Sequence, residues 1–287
     1  MSTSAKKRSS KGTNVVAEAR GGKAPRASAA GSGGRRAHAT WETIKSIAGA
    51  VAIYLVIKTF FVEAYRIPSG SMIPTLLVGD WLFVNKLVYG PVIPFTNTHL
   101  PGYSQPTRGD VVVFVSPPQS DQPENPTPTL VKRLVAMPGD TLYMRDGVLY
   151  VNGLAQRQGF ASPNRVDPAE ANSTSDLFSW QHGVELKNTR FGSAPATPTH
   201  DNWGPLLIPA SHYFMMGDNR YCSKDSRYWG IVPRDNVRGR PLIVYYSFRP
   251  SYHPGSGDSP VCNPDQSDRP LPFITDIRWG RIGDRVK

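Results

Sequence analysis

The longest apolar run in the chain is Ile47–Val62, IAGAVAIYLVIKTFFV, interrupted only by Lys58 and Thr59. Crossing the hydrocarbon of a bilayer takes about 20 helical residues. With its flanks the run therefore predicts one transmembrane helix over 43–65, with Lys58 close enough to an end to reach the interface. A cleaved leader fits poorly, because the run begins far from the N-terminus and no small-x-small site follows it. Downstream the periodicity changes. Trp81–Val84, Asp110–Val115, Leu130–Met137, His212–Met216 and Leu242–Phe248 are short β-branched or aromatic runs bounded by turn residues, the pattern of strands. Asp146-Gly147 lies between apolar pairs in Thr141–Tyr150 and predicts a tight hairpin. Residues 66–287 thus read as a mainly β, antiparallel body with Pro-rich loops at Val92–Pro106 and Pro117–Pro128. Gln156–Pro209 is mostly polar and irregular, and reads as a smaller inserted β/loop region; Asp258–Pro272 is another loop-like stretch.

Charge divides the chain in the same place. Of the formal +11, most resides before the apolar run, where ten basic residues from Lys6 to Lys45 face only Glu18 and Glu42. Residues 1–42, rich in Ser, Gly, Ala and basic residues, bury nothing and predict a disordered tail. A basic segment ahead of a membrane helix stays on the cytoplasmic side. The expected topology is N-terminus in, single pass, body outside the cytoplasmic membrane. The body's own charge is ordinary and gives no reason to expect nucleic-acid binding. The six histidines have no ligand spacing, so neither a metal nor another cofactor is expected. Cys222 and Cys262 permit one bridge in an extracytoplasmic body, but spacing does not pair them.

Two segments bear chemistry. Ile67–Leu76, IPSGSMIPTL, holds two serines around Gly70 between two prolines, which stiffen the backbone by fixing φ. Gly70 allows a second chain to approach. The plain alternative is a polar turn leaving the membrane. The second segment is LVKRLVAM, Leu130–Met137. Strand alternation places Lys132 with Leu130, Leu134 and Ala136 on one face, so its amine is desolvated and its pKa lowered. The plain alternative here is a solvated lysine on an edge strand.

Four blocks taken together resemble the bacterial type I signal peptidase family, the membrane-bound serine–lysine leader peptidases. They are the anchor with IPSGSMIPTL and LVGDWLFVNK, Arg108-Gly109-Asp110 with VVVF, LVKRLVAMPGD, and Gly217–Gly230, GDNRYCSKDSRYWG, followed by Val232-Pro233 and Val237–Arg240. The resemblance implies Ser71 as nucleophile and Lys132 as general base, with Ser69 and the Ser71 N–H forming an oxyanion hole. It implies Ser223 as the serine that hydrogen-bonds and orients the lysine, and Asp225–Arg227 as a supporting ion pair. Tyr221-Cys222 departs from relatives that carry Asp-Asn or similar there. Ile67, Pro68, Met72, Leu76, Leu130 and Val131 match the pocket for the residue before the cleaved bond. Tyr65, Ile67, Leu82, Val113 and Val131 match the pocket two residues earlier. The implied reaction is removal of signal peptides from exported preproteins after small-x-small sequences such as Ala-x-Ala, with the peptide added as a strand. The bilayer, and proximity to the export machinery, complete the implied partners. Alternatives are a catalytically inactive scaffold that binds exported chains, a processing peptidase with a single substrate, a repressor-type autoprotease (disfavoured by the membrane run), and a nucleic-acid binder acting through the basic tail.

Overall fold

A computed structural model describes residues 32–287 except 97, 120–121, 157–175, 188, 252–261 and 270–272. Most of the segment expected to be disordered, and 258–261 and 270–272 of the loop-like stretch, therefore lie outside the described residues.

Helix α1 spans Ser32–Val56 and continues as a π-helical turn, Ile57–Phe61. Trp41–Phe61 is long and apolar enough to cross a membrane. The helix thus starts earlier and stops earlier than the 43–65 expected. Its end has a clear cause. Val62–Arg66 forms strand β1 and pairs with β2, Asp80–Asn85, in register from Val62 opposite Asn85 to Arg66 opposite Trp81. The β-branched and aromatic residues there find a partner edge, which outweighs continuing the helix.

The body is built on two antiparallel sheets. The larger adds β3 (Val111–Val115), β4 (Thr129–Ala136), β9 (His212–Met216), β10 (Val232–Pro233) and β11 (Val237–Ser247), in the order β1-β2-β11-β3-β4-β9-β10. The smaller contains β5 (Thr141–Arg145), β6 (Val148–Val151), β7 (Leu154–Ala155) and β8 (Trp203–Leu207), in the order β7-β6-β5-β8. Asp146 and Gly147 both have positive φ, 48° and 76°, the geometry a two-residue hairpin needs to match strand twist. The last strand begins at Val237, earlier than the apolar run at Leu242 suggests, because Val237 and Gly239 pair with β3 through a register shift.

The second half of the polar insertion is not peripheral. Strand β8 completes the smaller sheet beside β5. Trp203, Leu206 and Ile208 are buried in one core with Leu142, Leu149 and Phe214. The Gly-Pro inside WGPLL hid this strand. A second core gathers Ile67, Met72, Leu76, Leu82, Val113 and Val244, with Tyr65 and Val131 packed against it. It forms the floor beneath the loop that joins β1 to β2, and that loop holds Ser71.

Candidate active site

Ser71 lies in a single 3-10 turn, Gly70–Met72, within the β1–β2 loop. Lys132 comes from the middle of β4. The fold brings them together although 61 residues separate them: Lys132 Nζ is 2.6 Å from Ser71 Oγ. Both are buried, Ser71 8% and Lys132 4% exposed. Along β4, Lys132 is flanked by Leu134 and Leu130, which join the apolar cluster of Val112, Phe114 and Met215. A register shift between Leu134 and Ala136 ends the alternation there, and Ala136 belongs instead to the core of the smaller sheet. Burial pushes the Lys132 amine down from 10.5 to about 8. Asp225 and Asp218 oppose that shift, and Arg227 reinforces it.

Residues 217–227 surround this pair. Asp225 accepts from Arg227 Nε at 2.8 Å and from the Gly217 N–H at 3.0 Å. Burial alone would raise the Asp225 carboxyl, but the charge and hydrogen bonds of Arg227, the charge of Lys132 and the Gly217 N–H hold it at about 2. The Asp225–Arg227 ion pair is fully buried, where losing one partner would strand the other charge. Ser223 differs from its expected contact. Its hydroxyl donates to Asp225 Oδ2 at 2.8 Å, and among the described residues no hydrogen bond joins it to Lys132. Gly217 leaves room for this packing: a Cβ there would collide with the Ser223 hydroxyl and the Ser71 carbonyl.

Several residues not singled out by sequence reasoning hold the serine turn. The Asn219 N–H donates to the Ser71 carbonyl at 3.0 Å, and its side-chain amide donates to the Gly70 carbonyl at 3.1 Å. Arg133 pairs with Asp218 through two bonds of 2.7 Å, and Thr75 donates to the same carboxylate at 2.5 Å. This ties β4, the 217–219 segment and the serine loop together. The only signal for them was their position inside the matched blocks. Gly70 does permit a close approach, but by the chain's own Cys262 carbonyl. Cys262 is bonded to Cys222, with Cα atoms 5.4 Å apart. The disulfide therefore joins the segment lying on the serine turn to the loop that packs around the lysine.

A small cleft of about 70 Å³ opens beside the pair. Tyr65, Ile67, Pro68, Met72, Leu130 and Val131 line it with Ser69, Ser71 and Lys132. Leu76, Leu82 and Val113, also expected as pocket walls, are wholly buried in the core behind these residues. Ser69 is exposed at the cleft, and its hydroxyl has no hydrogen-bond partner among the described residues. Two strand edges face the cleft. β1 is the outer strand of its sheet, and β9 pairs with β4 only from Arg133 onward, leaving Thr129–Lys132 open on that side.

Known proteins are similar to this chain in sequence. A family model described as "Signal peptidase, peptidase S26" matches residues 40–246. The chain is 37% identical over 217 residues to a signal peptidase I from Pseudomonas fluorescens, covering 71% of this chain and 72% of that one. It is 31% identical over 265 residues to a signal peptidase I from Aquifex aeolicus, covering 80% and 90%. A solved signal peptidase I from Enterococcus faecalis is 28% identical, covers 48% of this chain and 97% of its own, and superposes with a TM-score of 0.30. The matched region runs from the apolar helix through Ser71 and Lys132 to β11, and on this span the chain belongs to the signal peptidase, peptidase S26, family.

Proposed function

We propose that this chain is a membrane-bound signal peptidase I that removes signal peptides from exported preproteins, with Ser71 as nucleophile and Lys132 as its general base. The observation that carries the reading is the 2.6 Å contact between a buried lysine amine and the Ser71 hydroxyl beside an open cleft, in a chain of this family. An unperturbed lysine is a poor base at pH 7, with about one amine in three thousand neutral. At about 8 the neutral share rises to about one in ten.

The neutral amine takes the Ser71 proton as Oγ attacks the carbonyl carbon. The Ser71 N–H and the Ser69 hydroxyl face the developing oxyanion; one such donor is worth about 3–4 kcal/mol. The ammonium then returns its proton to the leaving amine, and water regenerates the serine through the same base. Signal peptide lies in the cleft as an added strand between β1 and the open half of β4. The narrow apolar walls at Ile67, Met72 and Val131 admit small side chains and reject large ones, which is the basis of small-x-small selection. Asp225, Arg227 and Ser223 act on the lysine through charge and position. A scaffold without activity is disfavoured, because both reacting groups stand within one hydrogen bond. The body works on the outer face of the cytoplasmic membrane, with the basic tail inside, close to where exported chains emerge.

The test is incubation of the purified full chain, in detergent, with a preprotein whose cleavage site reads Ala-x-Ala. A size shift at that bond in the parent and none in folded Ser71→Ala is expected. Cleavage by Ser71→Ala at a rate near the parent's would overturn the assignment.

A further inference from the structure

His200 lies in the polar insertion, just before β8, and has no role in the reaction described above. It is buried and sits at the far side of the Asp225–Arg227 pair. Its Nδ1 is 2.8 Å from Asp201 Oδ1, and a carboxylate only accepts, so Nδ1 carries the proton. Its Nε2 meets Arg227 Nη1, which only donates, so in the neutral ring Nε2 is the acceptor. The Arg220 carbonyl also lies 2.9 Å from Nε2, and takes a donor from Arg227 Nη2 at 2.6 Å. The imidazole stacks on Tyr221 with centroids 4.9 Å apart and touches Tyr228. Every face of His200 is thus committed to holding one tautomer and one contact.

We infer that His200 is a positioning residue for the lysine base: by accepting from Arg227 it holds the guanidinium against Asp225, and so weakens the stabilisation that this carboxylate gives the Lys132 ammonium. Arg227 spends Nε and Nη2 on Asp225 at 2.8 Å each. Its remaining nitrogen, Nη1, is the one His200 fixes. Asp225 favours the charged lysine, and Arg227 disfavours it. If the guanidinium swings away, one effect is unscreened and the other is lost. Both push the lysine toward its protonated, inactive form. The other groups acting on Lys132, Asp218 and the Ser71 hydroxyl, stay in place.

This inference rests on the Ser71–Lys132 reading. The experiment measures kcat/KM against pH for the full-length parent, His200→Leu, His200→Gln and Asp201→Asn, with thermal unfolding of each. His200→Leu removes the acceptor, and the rising limb is expected to move to higher pH by ~0.5 unit, a ~3-fold loss at pH 7 that disappears on the alkaline plateau. His200→Gln places an amide oxygen near the site of Nε2 and is expected to restore most of the shift. Asp201→Asn loosens the tautomer and is expected to move the limb the same way by less, which keeps the test alive if His200→Leu does not fold. A folded His200→Leu with an unmoved limb would overturn the inference, as would a loss equal at every pH, or a His200→Gln limb displaced as far as the leucine variant's. Failure of the underlying reading looks different: Lys132→Met would then still cleave.

Discussion

Replacing Lys132 with methionine separates what the amine does for catalysis from what it does to the fold. The Lys132 amine titrates at about 8 in the folded chain, against an ordinary 10.5. At pH 7 it is mostly ionised in both states, so the native state bears the cost of a charge it disfavours. At 1.36 kcal/mol per pH unit this is about 3 kcal/mol. Methionine keeps the apolar stem and sheds that charge, but loses the contact with Ser71, worth about 1 kcal/mol. The expected net gain is about 2 kcal/mol at pH 7, which for a body of this size is about 4–8 °C in Tm. The gain depends on pH in a definite direction. The folded pKa lies below the unfolded one, so the unfolded chain binds more protons between about 8 and 10.5, and the parent becomes more stable as pH rises through that window. Near pH 10 the cost of the lysine has fallen to about 1 kcal/mol, and the two proteins should have equal stability. Thermal unfolding followed by circular dichroism at pH 7 and pH 10, together with preprotein cleavage, reads both parts. A Lys132→Met protein that is less stable at pH 7, or whose advantage is the same at both pH values, would refute the argument from burial. One that still cleaves would refute the assignment of the base.

Ser69→Ala should keep the fold and KM while lowering kcat by about 10²-fold or more, since one oxyanion donor is lost and the Ser71 N–H remains; an unchanged kcat would exclude the Ser69 hydroxyl from that role. Gly217→Ala forces a methyl against the Ser223 hydroxyl and the Ser71 carbonyl, and should destabilise by about 1–3 kcal/mol and slow cleavage more than 10-fold, read by urea unfolding and initial rates. The Cys222–Cys262 bridge closes 40 residues of sequence, so its reduction should lower the urea midpoint by the equivalent of up to about 4 kcal/mol; an unmoved midpoint with free thiols detected would show that the bridge is not part of the stability. Protease added outside sealed spheroplasts should digest the body and spare the basic tail, whereas a protected body would reverse the orientation inferred from charge.

The apolar helix, most of the strands and the Asp146-Gly147 hairpin were legible in the sequence because each rests on local rules: the length needed to span a bilayer, the period of a strand, and the backbone angles of a two-residue turn. The segments that hold Ser71 and Lys132 have residue types that suit the chemistry, and the family resemblance singled out the two residues within them. Tertiary structure alone placed Lys132 Nζ 2.6 Å from Ser71 Oγ, since contact between residues in different strands depends on register that no local window encodes. The same reason explains what was missed. Val62–Arg66 looked like the end of the membrane helix until β2 offered it an edge, and Trp203–Leu207 looked like loop until β5 did. Leu76, Leu82 and Val113 have the right character for pocket walls, yet pack behind them, because hydrophobicity does not tell a wall from the core beneath it. Asn219, Arg133 with Asp218, and His200 hold the site through hydrogen bonds to atoms distant in sequence. A polar residue in a loop looks the same in a sequence whether it faces water or a buried guanidinium. Only the packed structure reveals which polar groups must find their partners inside the protein.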